Sequence, residues 1–409
     1  MPYYMLGDRI RTLRKQNKLT LEALAGDKLT KGMLSLIENN KAKPSMESLT
    51  YIAERLEVDV SDLLDEVSVQ ELRNILEKAE KIYNDNIDPL SDKYKQLITL
   101  IEPHIQHLTQ GYESARLLDI YGRSLFHDKK DGWQPYCNRA SHMYDQMNLT
   151  SQRALVSTFR VQAKFFNHDY FDALQLFLAE RKEIETHHAY IDPLTQLDLD
   201  YYEAILQYAV GDSTSAVRIM EKAIAFSKEK KIFYLVSDLY RLAAAHGMMT
   251  GAAEKREFYK KKLKQYAEFA DDTELMLFYD LLTVMTLINE EQDYKKALAM
   301  IDPNLANPQK RDSYGPWFSL EKGKALFHLG QLEEALEWLN KVEVPTYIHH
   351  PFDLSILYIK DAYIALCYLE LGKQKKAITF SKVAMEHFDP LPDTSFKQFC
   401  IEAYEKINQ

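Results

Sequence analysis

Apolar positions recur three and four apart along most of this chain, and past about residue 112 no strand-like alternation interrupts them. The pattern predicts an all-α protein. Leu6, Ile10 and Leu13 form the first helical stripe. Thr20 is a good N-cap for a second helix over residues 20–25, and Glu22 adds negative charge to its first turn. Gly26 supplies a turn, and Thr30 caps a third helix over 30–38 with Leu34 and Ile37 facing inward. Pro44 and Ser45 end the next loop and open a fourth helix, which places Leu49, Ile52 and Leu56 on one stripe. A short fifth helix is expected over 60–64.

Beyond this cluster, residues 67–83 are a run of good helix formers. Residues 84–89 break it, and Leu97, Ile98, Ile101 and Ile105 resume the helical spacing. A connector of one or two helices follows from that. A repeated pattern then takes over: a helix, a short turn with Gly or Asp, and a second helix with Ala at a fixed place. Gly323 with Ala335, Ala365 with Ala377 and Ala204 with Ala216 are the clearest copies, each pair twelve residues apart. Small residues at that spacing suit two antiparallel helices that cross closely. Weaker copies put the second position at Ala173, Arg256 and Ala297, and Gly122 begins an earlier one. The chain thus divides into residues 1–65, a helical linker over 66–111, and about seven helix pairs over 112–409.

Charge separates the parts further. Residues 1–45 carry nine Lys and Arg against four acids, while the whole chain has a net charge of −10. A basic end on an acidic body suits a phosphate-binding module joined to a body that does not bind nucleic acid. Two short helices, a turn and a third helix with small and polar residues at its start would put that third helix into the major groove. Lys31, Gly32 and Ser35 share a face there, Lys31 suiting guanine acceptors and Ser35 either kind of base edge. Thr20, Thr30, Asn39, Lys41 and Lys43 sit at helix starts and in the following loop, where phosphates would lie. The alternative for this region is a small helical dimerisation domain.

No catalytic constellation stands out, so the chain reads as a non-enzyme with no cofactor. The three cysteines, Cys137, Cys367 and Cys400, are too few and scattered for a disulfide framework or zinc site. The pairs His187–His188 and His349–His350 lack partners at metal spacing. No apolar run reaches the roughly 18–20 residues of a membrane span, and the N-terminus lacks a secretory signal, so a cytoplasmic protein is expected.

The stretches 19–25, 34–45 and 49–58 together resemble the Cro/C1-type (XRE) helix-turn-helix family, with Leu21 where that family often has Gln. In that resemblance Glu38 is the acid that pairs with an arginine of the first helix, for which Arg14 is the candidate. The later pattern resembles the tetratricopeptide repeat, with a longer period than its usual unit. The resemblance implies a superhelix with a concave face suited to an extended peptide. Positions three and six before the small residue and one after it would face that groove. They select Arg116, Asp119, Arg123, Gln162, Asp198, Tyr201, Asp238, Arg241, Tyr279, Trp317 and Lys324. The combination is similar to the Rgg, NprR and PlcR (RNPP) group of peptide-sensing regulators, in length and layout nearest its NprR branch. That likeness implies quorum sensing through a short signalling peptide, a homodimer on operator DNA, and control of transcription. The group grips peptide backbone with asparagines, for which Asn289 is the good candidate here. For the NprR branch it implies a second role, binding a sporulation phosphorelay protein. The alternative function is a scaffold resembling the Rap proteins that binds and modulates a response regulator.

Overall fold

The structure, a computed structural model, describes residues 6–60, 63, 69–85, 92–250 and 252–409, and every regular element among them is a helix. The chain forms two units, Met1–Arg160 and Val161–Gln409.

In the first unit, α1 (Leu6–Gln16), α2 (Leu21–Ala25), α3 (Lys31–Glu38) and α4 (Met46–Leu56) build the N-terminal cluster. Their starts are set by side-chain caps: Thr20, Thr30 and Ser45 accept from Ala23, Met33 and Ser48 backbone N–H groups. Ile10, Leu24, Leu34, Ile37, Leu49, Ile52 and Leu56 meet in one core, which Leu63 joins. Residues 61, 62 and 64 of the expected fifth helix lie outside the described residues, as do residues 86–89 of the expected break. Helix α5 (Val69–Asn84) and α6 (Lys93–Ile101) come next, and a 3₁₀ turn, Glu102–His107, leads on from α6 to α7 (Gly111–His127) and α8 (Gln134–Gln146). Leu72, Ile75 and Ala79 of α5 share a core with Leu97 and Ile101 of α6 and Leu118 of α7, so the linker packs against the first helix pair. Gly122 is required at the α7–α8 crossing. A Cβ there would come within 2.7 Å of the Cys137 sulfur.

The division falls within α9 (Thr150–Phe165). The second unit holds α10 (Tyr170–His187) and then five pairs. These are α11 (Pro193–Ala209) with α12 (Ser213–Lys230), α13 (Val236–Met249) with α14 (Ala253–Ala270), and α15 (Thr273–Thr286) with α16 (Tyr294–Ala306). Then come α17 (Pro308–His328) with α18 (Leu332–Leu339) and α19 (Pro351–Glu370) with α20 (Gln374–Phe388). Helix α21 (Ser395–Asn408) covers the last pair. The small positions do what their spacing required: Ala204, Ala216, Ala335, Ala365 and Ala377 are fully buried. A Cβ on Gly323 would lie 2.5 Å from the Leu339 side chain. All three cysteines are free and buried, and burial pushes each thiol up to about 12, which makes them unreactive packing groups.

Candidate DNA-reading face and ligand cavity

The N-terminal cluster holds α3 by one side. Leu34 and Ile37 enter the core, and Glu38 is only 2% exposed while taking two hydrogen bonds from the Arg14 guanidinium, at 2.6 and 3.0 Å. Arg14 also donates to the Leu19 carbonyl, fixing α1 to the start of α2. Turned by about 3.6 residues per turn, the side of α3 opposite these residues carries Gly32, Leu36 and Asn39. Gly32 stands in open space, its added Cβ meeting only the Thr30 hydroxyl at 4.0 Å, so another backbone or a base edge can approach closely. Ser35 flanks this face on one side.

Lys31 is exposed but paired with Glu22, and this partner holds the Glu22 carboxyl below the usual carboxylate range. Asn39 accepts from Arg11 at 2.5 Å and donates to the Ser35 carbonyl. Thr20 and Thr30 use their hydroxyl oxygens as caps, so their expected phosphate contacts would come from backbone N–H groups and the hydroxyl protons. Lys41 and Lys43 project from the exposed loop after α3. The sequence reading passed over Leu36, which is 45% exposed at the centre of the outward face. Its signal was available in the period itself, four residues after Gly32. An apolar residue there suits the thymine methyl group.

In the second unit the first helices of five successive pairs surround one cavity of about 550 Å³. Helix α11 contributes Tyr201, α13 Asp238 and Arg241, α15 Glu274 and Phe278, α17 Tyr314 and Trp317, and α19 Asp353. The segment before α19 closes it with Tyr347, Ile348 and His350. Arg241 stacks on Phe278, 4.6 Å from the ring centre, and donates to the Tyr314 hydroxyl at 3.1 Å. Burial raises the Tyr201 and Tyr314 hydroxyls, opposed by Arg241, so both remain neutral hydrogen-bonding groups. Burial also raises Asp353 above the usual carboxylate range, against the pull of His350 and Arg241.

The closing segment is tied down from far along the chain. Tyr170 donates to the His349 carbonyl at 2.8 Å, and the Phe166 ring packs at a tilt against that of His349, 4.5 Å between centres. His350 accepts from the Phe352 N–H through Nδ1, so its Nε2 carries the proton toward the Ile205 carbonyl, 3.3 Å away.

Four of the residues selected from the repeat pattern line this cavity: Tyr201, Asp238, Arg241 and Trp317. The others lie elsewhere. Lys324 is 2% exposed and paired with buried Glu321, one turn or more along α17 from the cavity, where Tyr363 covers it. Tyr279 faces α14, between Lys260 and Lys264. Asn289 is exposed on a π turn, Leu287–Glu291, that ends α15. The register slipped in this repeat because Met285 occupies the nominal small position and itself lines the cavity. Gln162 donates to the Tyr202 hydroxyl.

In the first unit, Arg116 pairs with Glu80 and Asp119, and Arg123 pairs with Asp119 while stacking on Phe159. Arg116 therefore latches α5 to α7 through Glu80, while Arg123 reaches α9, where it also donates to the Leu155 carbonyl. Phe278, Tyr314, Asp353 and His350 were missed. Tyr314 follows by taking the α17 stripe one turn further back, whereas nothing in the repeat pattern marks the closing segment.

At low overlap the chain is similar to several solved structures. PlcR of Bacillus thuringiensis, in complex with the peptide PapR7 and DNA, is 18% identical over 73% of this chain and 99% of its own, with a TM-score of 0.32. ComR of Streptococcus vestibularis with its signaling peptide XIP is 19% identical over 67% and 95%, with a TM-score of 0.34. The SHP pheromone receptor Rgg2 of Streptococcus dysgalactiae is 14% identical over 67% and 98%, with a TM-score of 0.30. No curated protein matches. The firm family match is local: residues 7–69 fit the model of a helix-turn-helix domain.

Proposed function

We propose that this chain is a cytoplasmic transcriptional regulator that binds operator DNA through its N-terminal domain under the control of a short peptide held in the α11–α19 cavity. The carrying observation is that a helix-turn-helix domain presents α3 uncovered, with Gly32 open at its centre. Lys31, Ser35 and Leu36 then meet base edges, while Lys41, Lys43, Asn39 and the Thr20 and Thr30 helix starts meet phosphates. One such helix spans too few base pairs for genomic specificity, so the protein works as a dimer on a two-fold site. Residues 1–65 act as reader, 66–111 as connector and 112–409 as sensor.

The cavity supports the peptide part of the reading. It is apolar and aromatic over most of its wall, with a few polar groups converging on it, which is the usual make-up of a ligand site. Arg241 offers a planar seat for a peptide carboxylate. Selection of random duplexes by the full chain at physiological ionic strength tests the reader. An enriched two-fold sequence is expected, with Lys31→Ala and Ser35→Ala each costing roughly 1–3 kcal/mol against that site. Retention without any enriched sequence would refute it.

A further inference from the structure

Several buried carboxylates of this protein are neutralised by a neighbouring cation. Asp119 meets Arg116 and Arg123, Asp200 meets Arg181, Glu321 meets Lys324, and Asp361 meets Lys360. The cavity gathers three carboxyl groups that are not so neutralised. Asp238, Glu274 and Asp353 all line it, and among the described residues none has a cation within 4.0 Å. Glu274 accepts one hydrogen bond, from the Ser313 hydroxyl, and Asp238 one at 3.5 Å from Ser237. The single lining guanidinium, Arg241, is committed to the Phe278 face and the Tyr314 hydroxyl. His350 is held neutral by burial, with Nδ1 accepting and Nε2 donating, so it adds no charge.

The lining thus sets three carboxyl groups against one guanidinium, with Glu274 exposed at the rim and Asp353 raised by burial where no cation pairs with it. A ligand that fills it strips water from those acids, and a buried charge left unpaired is costly. Electrostatic complementarity then selects the partner by sign. Resting on the reading of this cavity as a peptide site, we propose that its ligand is a peptide with apolar or aromatic side chains that also carries a cationic group, seated against Asp238 and Asp353 with Glu274 at the rim. The cation is an ammonium or guanidinium, supplied by a lysine or arginine side chain or by the free N-terminus. Arg241 keeps its separate part, taking the peptide's carboxylate.

The test passes a pool of random synthetic heptapeptides over the immobilised full chain, with retained peptides read by mass spectrometry. Lysine and arginine should be enriched over aspartate and glutamate by about tenfold, the effect of one well-placed charge pair. A second pool, acetylated at the N-terminus, locates the source. Retention of acetylated, lysine-containing peptides assigns the cation to a side chain, and loss of retention on acetylation assigns it to the terminal ammonium. The isosteric variant Asp238→Asn/Asp353→Asn should abolish the preference. Glu274→Gln, exposed at the rim where the amide oxygen can still accept from Ser313, should weaken it without touching the fold.

Enrichment of acidic or neutral peptides by the wild-type chain would overturn the proposal, as would an unchanged preference in both variants. Failure to retain any peptide from either pool is a different result. It would remove the peptide site itself, and the charge argument with it.

Discussion

Replacing Glu38 by alanine would leave the Arg14 guanidinium without the carboxylate that takes two of its hydrogen bonds. Only the bond to the Leu19 carbonyl would remain. Arg11, 3.6 Å from the same carboxylate, would lose that contact and keep its bond to Asn39. Removing one member of a buried ion pair costs about 3–5 kcal/mol, and the Arg14 side chain, 12% exposed, can reach some water, which argues for the lower end. A core the size of the α1–α4 cluster rarely supplies more than about 3–5 kcal/mol. The loss therefore matches the whole stability of the reader, which should unfold while the helix pairs stay intact. Hydrogen exchange on the full chain reads this directly. Amides of α1–α4 should lose protection in Glu38→Ala, those of α17–α20 should keep it, and operator binding should vanish. The double replacement Arg14→Met/Glu38→Leu should restore most of the protection, because it leaves no orphan charge. The reasoning fails if the reader amides of Glu38→Ala stay within about 1 kcal/mol of wild type, or if the double variant is as unstable as the single one.

Three further outcomes follow from the same geometry. Glu22→Gln should free Lys31 for DNA and tighten operator binding about two- to fivefold, measured by fluorescence anisotropy; unchanged or weaker binding would mean that Lys31 does not reach the DNA. Glu80→Gln should loosen α5 from α7 by roughly 1–3 kcal/mol, seen as faster exchange over 69–84, and equal protection would show that the latch to Arg116 carries no weight. His104, His127, His246, His328, His349 and His350 are all lowered from about 6.5, chiefly by burial, so the unfolded chain binds more protons than the fold just below that pH. Stability should fall from pH 7 to pH 5, blunted by Asp198, Asp280 and Asp353, which burial raises, and a urea midpoint as high at pH 5 as at pH 7 would contradict this.

Much of this was legible because helices write their packing into a short period. The caps Thr20 and Thr30, the inward Leu34 and Ile37 and the close crossings at Gly122 and Gly323 each depend on residues a turn or one partner away, whereas the Glu38–Arg14 pair was implied by the resemblance of 34–45 to the helix-turn-helix family. The cavity was half legible for the same reason. Tyr201, Asp238, Arg241 and Trp317 fall on it because the first helices of successive pairs present equivalent faces. The period fails where a repeat carries a large residue at the small position, as at Met285, and where height along the helix matters, as at Lys324. A helical wheel records direction but not depth. It also cannot say which charges meet partners from another helix, so Arg116 and Arg123 looked available although Glu80 and Asp119 occupy them.

The ties from Tyr170 to His349 and from His350 to Ile205 span 179 and 145 residues of chain. In an ordinary repeat array each unit touches only its neighbours, so folding can start anywhere and spread. Here the cavity waits for His349 and His350, made long after the Tyr170 and Ile205 segments that they join. The early helices can stack as they emerge, but the chamber closes only after the α18–α19 segment has been made, and long loops close late. A chain cut short before His349 would keep most of its helices and lack a finished chamber.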